Sequence, residues 1–202
     1  MSKSDNPDEI LHRFLDLANQ ADRKGIVLFS NFLNMYEINL LHQNENLFYT
    51  GFSLYGGYQE AERQMVAFQP DALYYNWEYP ISCVQVEPLN HRFSEDLSHR
   101  DILGALMHLG IDRSLIGDIL IKDKSAYIFC VEKMADFIAK ELYKIKHTQV
   151  MTQRVKPVDL HIEMQYRRGL YCLQSSGCFC GTGMQIVPGA GSTIYSGREC
   201  LY

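Results

Sequence analysis

Three groups of residues have the types and spacings to do chemistry. Arg100, Arg113, Lys122, Lys124, Arg154 and Lys156 are cations spread through a run of alternating strands and amphipathic helices. Sequential strands of one sheet bring their loops and turns to common edges. On such an edge these side chains would form a rim able to hold nucleic-acid phosphates. Asp112, Asp118 and Asp123 lie among them and dilute the charge, so plainly solvated cations are the competing reading. The second group is Tyr55-Gly56-Gly57-Tyr58 followed by Glu60-Ala61-Glu62-Arg63. Two glycines permit positive φ and close backbone approach, which makes Gly56, Gly57 and Arg63 a candidate phosphate contact. The spacing fits neither a P-loop nor a dinucleotide fingerprint, and a structural turn is the alternative. The third group is Cys172, Cys178, Cys180 and Cys200, four of the six cysteines. Their gaps fit no common zinc module.

No catalytic set assembles. His99-Arg100-Asp101 opens like a protein-kinase catalytic loop, but no Asn follows at the required spacing and no DFG or Gly-rich loop is present. Helix capping explains it better: Ser98 can accept from an early backbone amide, and Asp101 sits in the positive first turn. The seven histidines show no HExxH spacing, and no Gly-x-Ser-x-Gly elbow occurs. The reading is of a protein that is not an enzyme, with no metal and no cofactor. A net charge of −5 argues weakly against bulk coating of nucleic acid and leaves room for a local basic face. The polar start of the chain is no signal peptide, and its longest apolar runs fall short of a membrane span. A cytoplasmic location follows as the expectation, with Cys83 and Cys130 as buried thiols.

Periodicity supplies the elements that must position these groups. Residues 8–22 form an amphipathic helix with Ile10, Phe14, Leu17, Ala18 and Ala21 inward and Pro7 at its start. A short apolar run ends near Phe29, and a second helix covers 35–44. Residues 47–54 and 63–69 read as strands, with a helical turn at 59–62 between them. The aromatic-rich stretch 71–79 ends at Pro80, a domain boundary. Beyond it come a strand at 81–87, a helix at 98–109 and a hairpin of 119–122 with 126–130. A helix at 131–146 and a strand at 148–155 complete the series. Strand, helix, strand, strand, helix, strand is a split βαβ order, with two helices on one face of an antiparallel sheet and the other face free to bind. The fold class is α+β: an N-terminal α/β domain (1–80), a ferredoxin-like βαββαβ domain (81–168) and an irregular tail (169–202).

Two motifs carry a resemblance. One is Ser98-His99-Arg100-Asp101-Ile102-Leu103-Gly104-Ala105-Leu106, continuing through Leu109-Gly110-Ile111 and Arg113 to Ile116-Gly117-Asp118-Ile119. The other is Gly56-Gly57-Tyr58 with Ala61-Glu62-Arg63. Together they resemble the YlmH-type family of S4-domain RNA-binding proteins, ribosome-associated quality-control factors, over roughly residues 8–168. The resemblance implies a central RNA-binding domain and a C-terminal S4 domain that grips ribosomal RNA. Its implied partner is structured RNA, ribosomal RNA or tRNA on the large ribosomal subunit, with no membrane.

An S4 domain should begin shortly after Arg168 with Arg-Leu-Asp and carry a later Ser-Arg pair, and neither is there. Synonymous codons can be chosen so that the tail from Leu170, read one base out of phase, yields both in the right order. The tail is therefore expected to be a frameshifted S4 domain, poorly ordered in the absence of metal. Sequencing the coding DNA around Gly169 tests this. The sheet lacks an RNP1 aromatic signature, so phosphate and shape contacts are expected over stacked bases. The alternative is a protein-interaction module that docks a partner on Tyr74, Tyr75, Trp77 and Tyr79, residues that also read as interface core.

Overall fold

The computed structural model describes residues 6–70, 73–90, 97–122 and 124–156, together with three short strands further on. The first helix, α1, spans Pro7–Lys24. Proline in its first turn gives up no helical hydrogen bond, and Gly25 at φ +63° closes its end. Ile10, Phe14, Ala18 and Ala21 are buried, the stripe that the three- and four-residue spacing predicts. The second helix, α2, spans Met35–Gln43 and opens on a capping box. The Glu37 amide donates to the Asn34 side chain at 2.9 Å, and the Asn34 amide donates to Glu37 Oε2 at 2.9 Å. Strands β1 (Leu28–Phe29), β2 (Gly51–Tyr55) and β3 (Met65–Gln69) pair antiparallel in the order β1-β3-β2. Both helices cover one face of this sheet, where Phe14, Leu41, Val66 and Phe68 share a core.

The second sheet follows Pro80. Its elements are β4 (Ile81–Pro88), α3 (His99–His108), β5 (Ile116–Lys122), β6 (Ser125–Val131), α4 (Glu132–Glu141), β7 (Lys144–Ile145) and β8 (Thr148–Val155). The strand order is β5-β6-β4-β8-β7, and each neighbouring pair is antiparallel. Without the short edge strand β7, this is the ferredoxin-like βαββαβ arrangement. Ile102 and Leu106 of α3 and Ala135 and Ile138 of α4 pack on Val84, Val86, Ile128, Cys130 and Val150. The opposite face buries Cys83, Leu120 and Phe129 beneath Tyr58. Cys83 and Cys130 are free and buried, and burial pushes both thiols up to about 12, as unreactive buried thiols require.

The elements depart from their expected bounds for local reasons. The strand expected at 47–54 starts later, because a 3-10 turn at Glu45–Leu47 follows α2. The helix expected over 131–146 ends at Glu141. Lys146 takes φ +54° and turns the chain into the β7–β8 hairpin, while Ile145 keeps the apolar period by burying itself in the same core. The expected helical turn at 59–62 is an irregular loop, whose amides are drawn to a side chain outside it. Asp71, His91, Asp123, His161 and the cysteines Cys172, Cys178, Cys180 and Cys200 lie outside the described residues. In that C-terminal region the strands Gln165–Tyr166, Gln185–Val187 and Thr193–Tyr195 pair with one another. Among the described residues, no helix is long and apolar enough to cross a membrane.

Candidate nucleic-acid interface

Strand register decides which of the cations can meet. Val86 pairs with Ala126, which puts Ser125 and its partner Lys122 level with Glu87. Val150 pairs with Pro88, so the β7–β8 turn at Lys146 lies at this same end of the sheet. Lys124, at φ +70°, shapes the β5–β6 turn there. Arg154 pairs with Val84, and Lys156 follows Val155, which pairs with Cys83. Lys156 is therefore level with Ser82, five residues and about 17 Å of strand from Lys122. The six cations do not form one rim. Lys122, Lys124 and Lys146 share one end of the sheet, and Arg154 and Lys156 occupy the other.

Arg154 is also engaged. Its Nη2 lies 2.6 Å from Glu132 Oε1 and its Nη1 3.5 Å from Asp136 Oδ1, while Nε donates to Ser82 Oγ at 2.9 Å. These contacts tie β8 to the first turns of α4, on the helix-covered side. Lys156 and Lys122 are exposed.

Arg113 and Arg63 are turned inward. Arg113 Nη1 donates to the carbonyls of Ile116 at 2.7 Å and Gly117 at 3.1 Å. Arg63 donates through Nε to the Ile116 carbonyl at 3.0 Å, and through Nη2 to the carbonyls of Phe32 at 3.0 Å and Arg113 at 3.3 Å. Burial, helped by the neighbouring Arg63 charge, brings Arg113 down to about 10, and burial lowers Arg63 as well. Both guanidiniums donate to backbone carbonyls at the β5 bulge, where two sheets meet, and both are half-buried. The structure thus gives Arg113 and Arg63, expected as phosphate contacts, a part in joining the two sheets.

The glycine-rich loop does receive an anion, and the anion is Asp118. Its carboxylate accepts from the Tyr58 hydroxyl at 2.7 Å and from the amides of Glu62 at 2.7 Å and Arg63 at 3.2 Å. Gly56 and Gly57 let the loop pack closely on itself and on the sheet. A Cβ on Gly56 would stand 2.3 Å from Ala61 Cβ, and one on Gly57 would stand 2.4 Å from the Phe129 ring, at φ +103°. An internal carboxylate stands where the candidate phosphate contact was expected. Burial raises the pKa of Asp118, against the hydrogen bonds from Tyr58, Glu62 and Arg63. Asp118 therefore closes the junction and takes no part in diluting a surface patch.

The first turn of α3 is the remaining cationic candidate. Ser98 caps the helix as foreseen, and Asp101 returns the bond to the Ser98 amide, which completes a capping box. Asp101 also binds Lys146 Nζ at 2.7 Å, which ties the helix start to the β7–β8 turn and leaves Arg100 exposed beside it. Lys146 is a residue that sequence reasoning passed over. Its only signal was a Lys-His pair between an apparent helix and an alternating strand. The Lys146 and Ser98 hydrogen bonds hold the Asp101 carboxyl down to about 2. Its stabilising contribution is complete above the ordinary unfolded value near 3.9 and fades as pH falls through about 2. Asp101→Asn should cost about 1 kcal/mol near neutral pH, and the difference in urea midpoint from the parent should shrink as pH drops below 4.

The face opposite the helices stays open along part of its length. Gln153 donates to Gln85 at 3.0 Å, and Gln85 donates to Glu87 at 2.6 Å, with Met151 exposed beside them. Amide side chains line this stretch, and Tyr127 stands across from Gln85 on the same face. The aromatic segment divides. Trp77 and Tyr79 pack on Phe29 at centroid distances of 5.6 Å each, and Tyr79 packs on Tyr55 at 5.3 Å. Tyr75 accepts the Val27 amide at 2.8 Å. Tyr74 is 94% exposed.

Residues 76–159 match the family described as "Putative RNA-binding domain in YlmH". The chain is 30% identical over 115 residues to the "Ribosome-associated protein quality control protein P2" of Bacillus subtilis (strain 168). That alignment takes in 55% of this chain and 43% of the relative, so the match spans less than half of the relative's length. A solved structure, the "Cell division protein ylmH from Streptococcus pneumoniae", has the same fold at a TM-score of 0.61 and 24% identity, over 77% of this chain and 94% of that one.

Proposed function

Residues 76–159 belong to the RNA-binding-domain family found in YlmH, and from that premise we propose that this chain is a non-enzymatic RNA-binding protein that acts on the ribosome in translation quality control. The observation that carries the reading is the family match itself, which falls on the βαββαβ sheet with its lysine-bearing turns. In this reading residues 1–80 are an N-terminal α/β domain, 81–168 the RNA-binding domain and 169–202 the segment after it. The protein works in the cytoplasm on ribosomal RNA or tRNA at the large subunit. The phosphate contacts fall to Arg100, Lys122 and Lys124 at one end of the sheet, with Lys156 as an outlying contact at the other. Cations on turns hold a backbone in register without reading its bases, in keeping with the amide-lined open face.

The test is binding of purified large ribosomal subunits, and of structured ribosomal RNA fragments, titrated over salt. Arg100→Gln and Lys122→Gln should each weaken binding several-fold and lower the salt slope by about 1. Their folding stability should stay within about 0.5 kcal/mol of the parent, as expected for exposed positions. Salt-independent binding, unmoved by both substitutions, would overturn the proposal.

A further inference from the structure

The N-terminal sheet ends on an exposed strand whose surroundings differ from those of the RNA-binding sheet. β2 is the outer strand of the order β1-β3-β2 among the described residues. Every second residue of an outer antiparallel strand directs its N–H and C=O away from its neighbour. None of the described hydrogen bonds reaches those outward groups between Gly51 and Tyr55. The strand, Gly-Phe-Ser-Leu-Tyr, contains neither a charged residue nor proline, the usual guards of an open edge.

A groove of about 610 Å³ runs along this edge, between β2 and the end of α2, with His42, Glu45 and Thr50 in its walls. The Thr50 hydroxyl is buried there without a hydrogen-bond partner. No lysine or arginine lines the groove. Between residues 6 and 70 there are eight Asp and Glu against four Lys and Arg, whereas 73–156 carries eleven of each. Glu45 stands exposed at the rim, 2.6 Å from His42.

We propose that β2 is a docking edge for an extended, basic peptide segment of a protein partner, which adds to the sheet as a further antiparallel strand. Main-chain hydrogen bonds would supply the affinity. The excess of acid over the N-terminal part would select a basic segment. This goes beyond RNA binding, concerns a different sheet, and does not depend on that reading.

The test uses the full chain and a blocked hexapeptide of alternating lysine and valine, followed by fluorescence anisotropy and amide hydrogen exchange. Exchange at the outward-facing amides of Gly51–Tyr55 should slow about tenfold on binding, and the glutamate–valine counterpart should bind about tenfold more weakly. N-methylation of alternate peptide bonds should abolish binding, because the strand pairing needs those donors. Glu45→Lys, an exposed substitution, should narrow the preference between the two peptides. Equal binding of the N-methylated peptide, or protection confined to other residues, would overturn the proposal. So would the same protection without peptide in a concentration-dependent dimer, or on adding oligouridylate. Ribosomal-subunit binding measured on the same preparation reports separately on the RNA reading.

Discussion

Replacing Gly57 with alanine is expected to destabilise the protein by about 3–5 kcal/mol, the sum of a positive-φ penalty and overpacking. The residue sits at φ +103°, and an added Cβ would stand 2.4 Å and 2.8 Å from two atoms of the Phe129 ring. Phe129 cannot yield, since it is fully buried on the sheet face that Tyr58 covers. Such a loss is a large part of the 5–15 kcal/mol that holds a typical domain together. Urea unfolding followed by tryptophan fluorescence measures it, because Trp77 packs in the neighbouring cluster with Phe29 and Tyr79. Gly104 is the internal contrast. It lies inside α3, and a Cβ there meets nothing within 4 Å. Gly104→Ala should stabilise by about 0.5–1 kcal/mol through helix propensity alone. Equal effects at the two glycines would mean that the Gly57 loop does not pack as described.

Asp118→Ala is expected to cost about 3–5 kcal/mol, the range for removing one partner of a buried charged network. Three donors lose their acceptor at once: the Tyr58 hydroxyl and the amides of Glu62 and Arg63. Arg63, lowered by burial and sustained by the Asp118 charge, is left without its nearest carboxylate. Asp118→Asn should be much milder, at about 1–2 kcal/mol, because an amide oxygen still accepts and burial already disfavours the charged form. The pH dependence separates the two effects. A carboxyl whose pKa is raised on folding contributes most at low pH and loses part of that contribution as pH rises past the ordinary carboxylate range. The parent should therefore lose ground to Asp118→Asn on that rise, a trend opposite in sign to that of Asp101. Tyr58→Phe should remove a single hydrogen bond, about 1 kcal/mol. A small effect of Asp118→Ala in chemical unfolding would mean that the two sheets are not joined through this carboxylate.

Much of the fold could be read along the chain, since helices and strands are written in local periods. The stripe Ile10, Phe14, Ala18, Ala21 and the alternation from Ile81 to Glu87 each report which side of an element meets the core. Short apolar residues at a period boundary are ambiguous. Ile145 fits a continued helix as well as a two-residue strand, and only the positive φ of Lys146 decides between them. The candidate site was legible in part. The tight turn at Gly56 and Gly57 could be seen in the glycines themselves, and the Ser98–Asp101 cap is local enough to be seen in four residues. Which arginines face solvent was not legible. Arg100 and Arg113 look alike in sequence, yet Arg113 is bound to the carbonyls of Ile116 and Gly117 by the bulge in β5.

The sequence by itself determined the order of elements, the α+β class, the capped start of α3 and the tight turn at Gly56 and Gly57. All of these depend on neighbours within one turn or one strand. Tertiary structure alone decided that Asp118, some 55 residues along from Glu62 and Arg63, is the anion. It also decided that Lys122 and Lys156 lie at opposite ends of one sheet, and that β2 is the outer strand of its sheet among the described residues. Strand order and register bring distant residues level or hold them apart, and a one-dimensional pattern carries no measure of that distance.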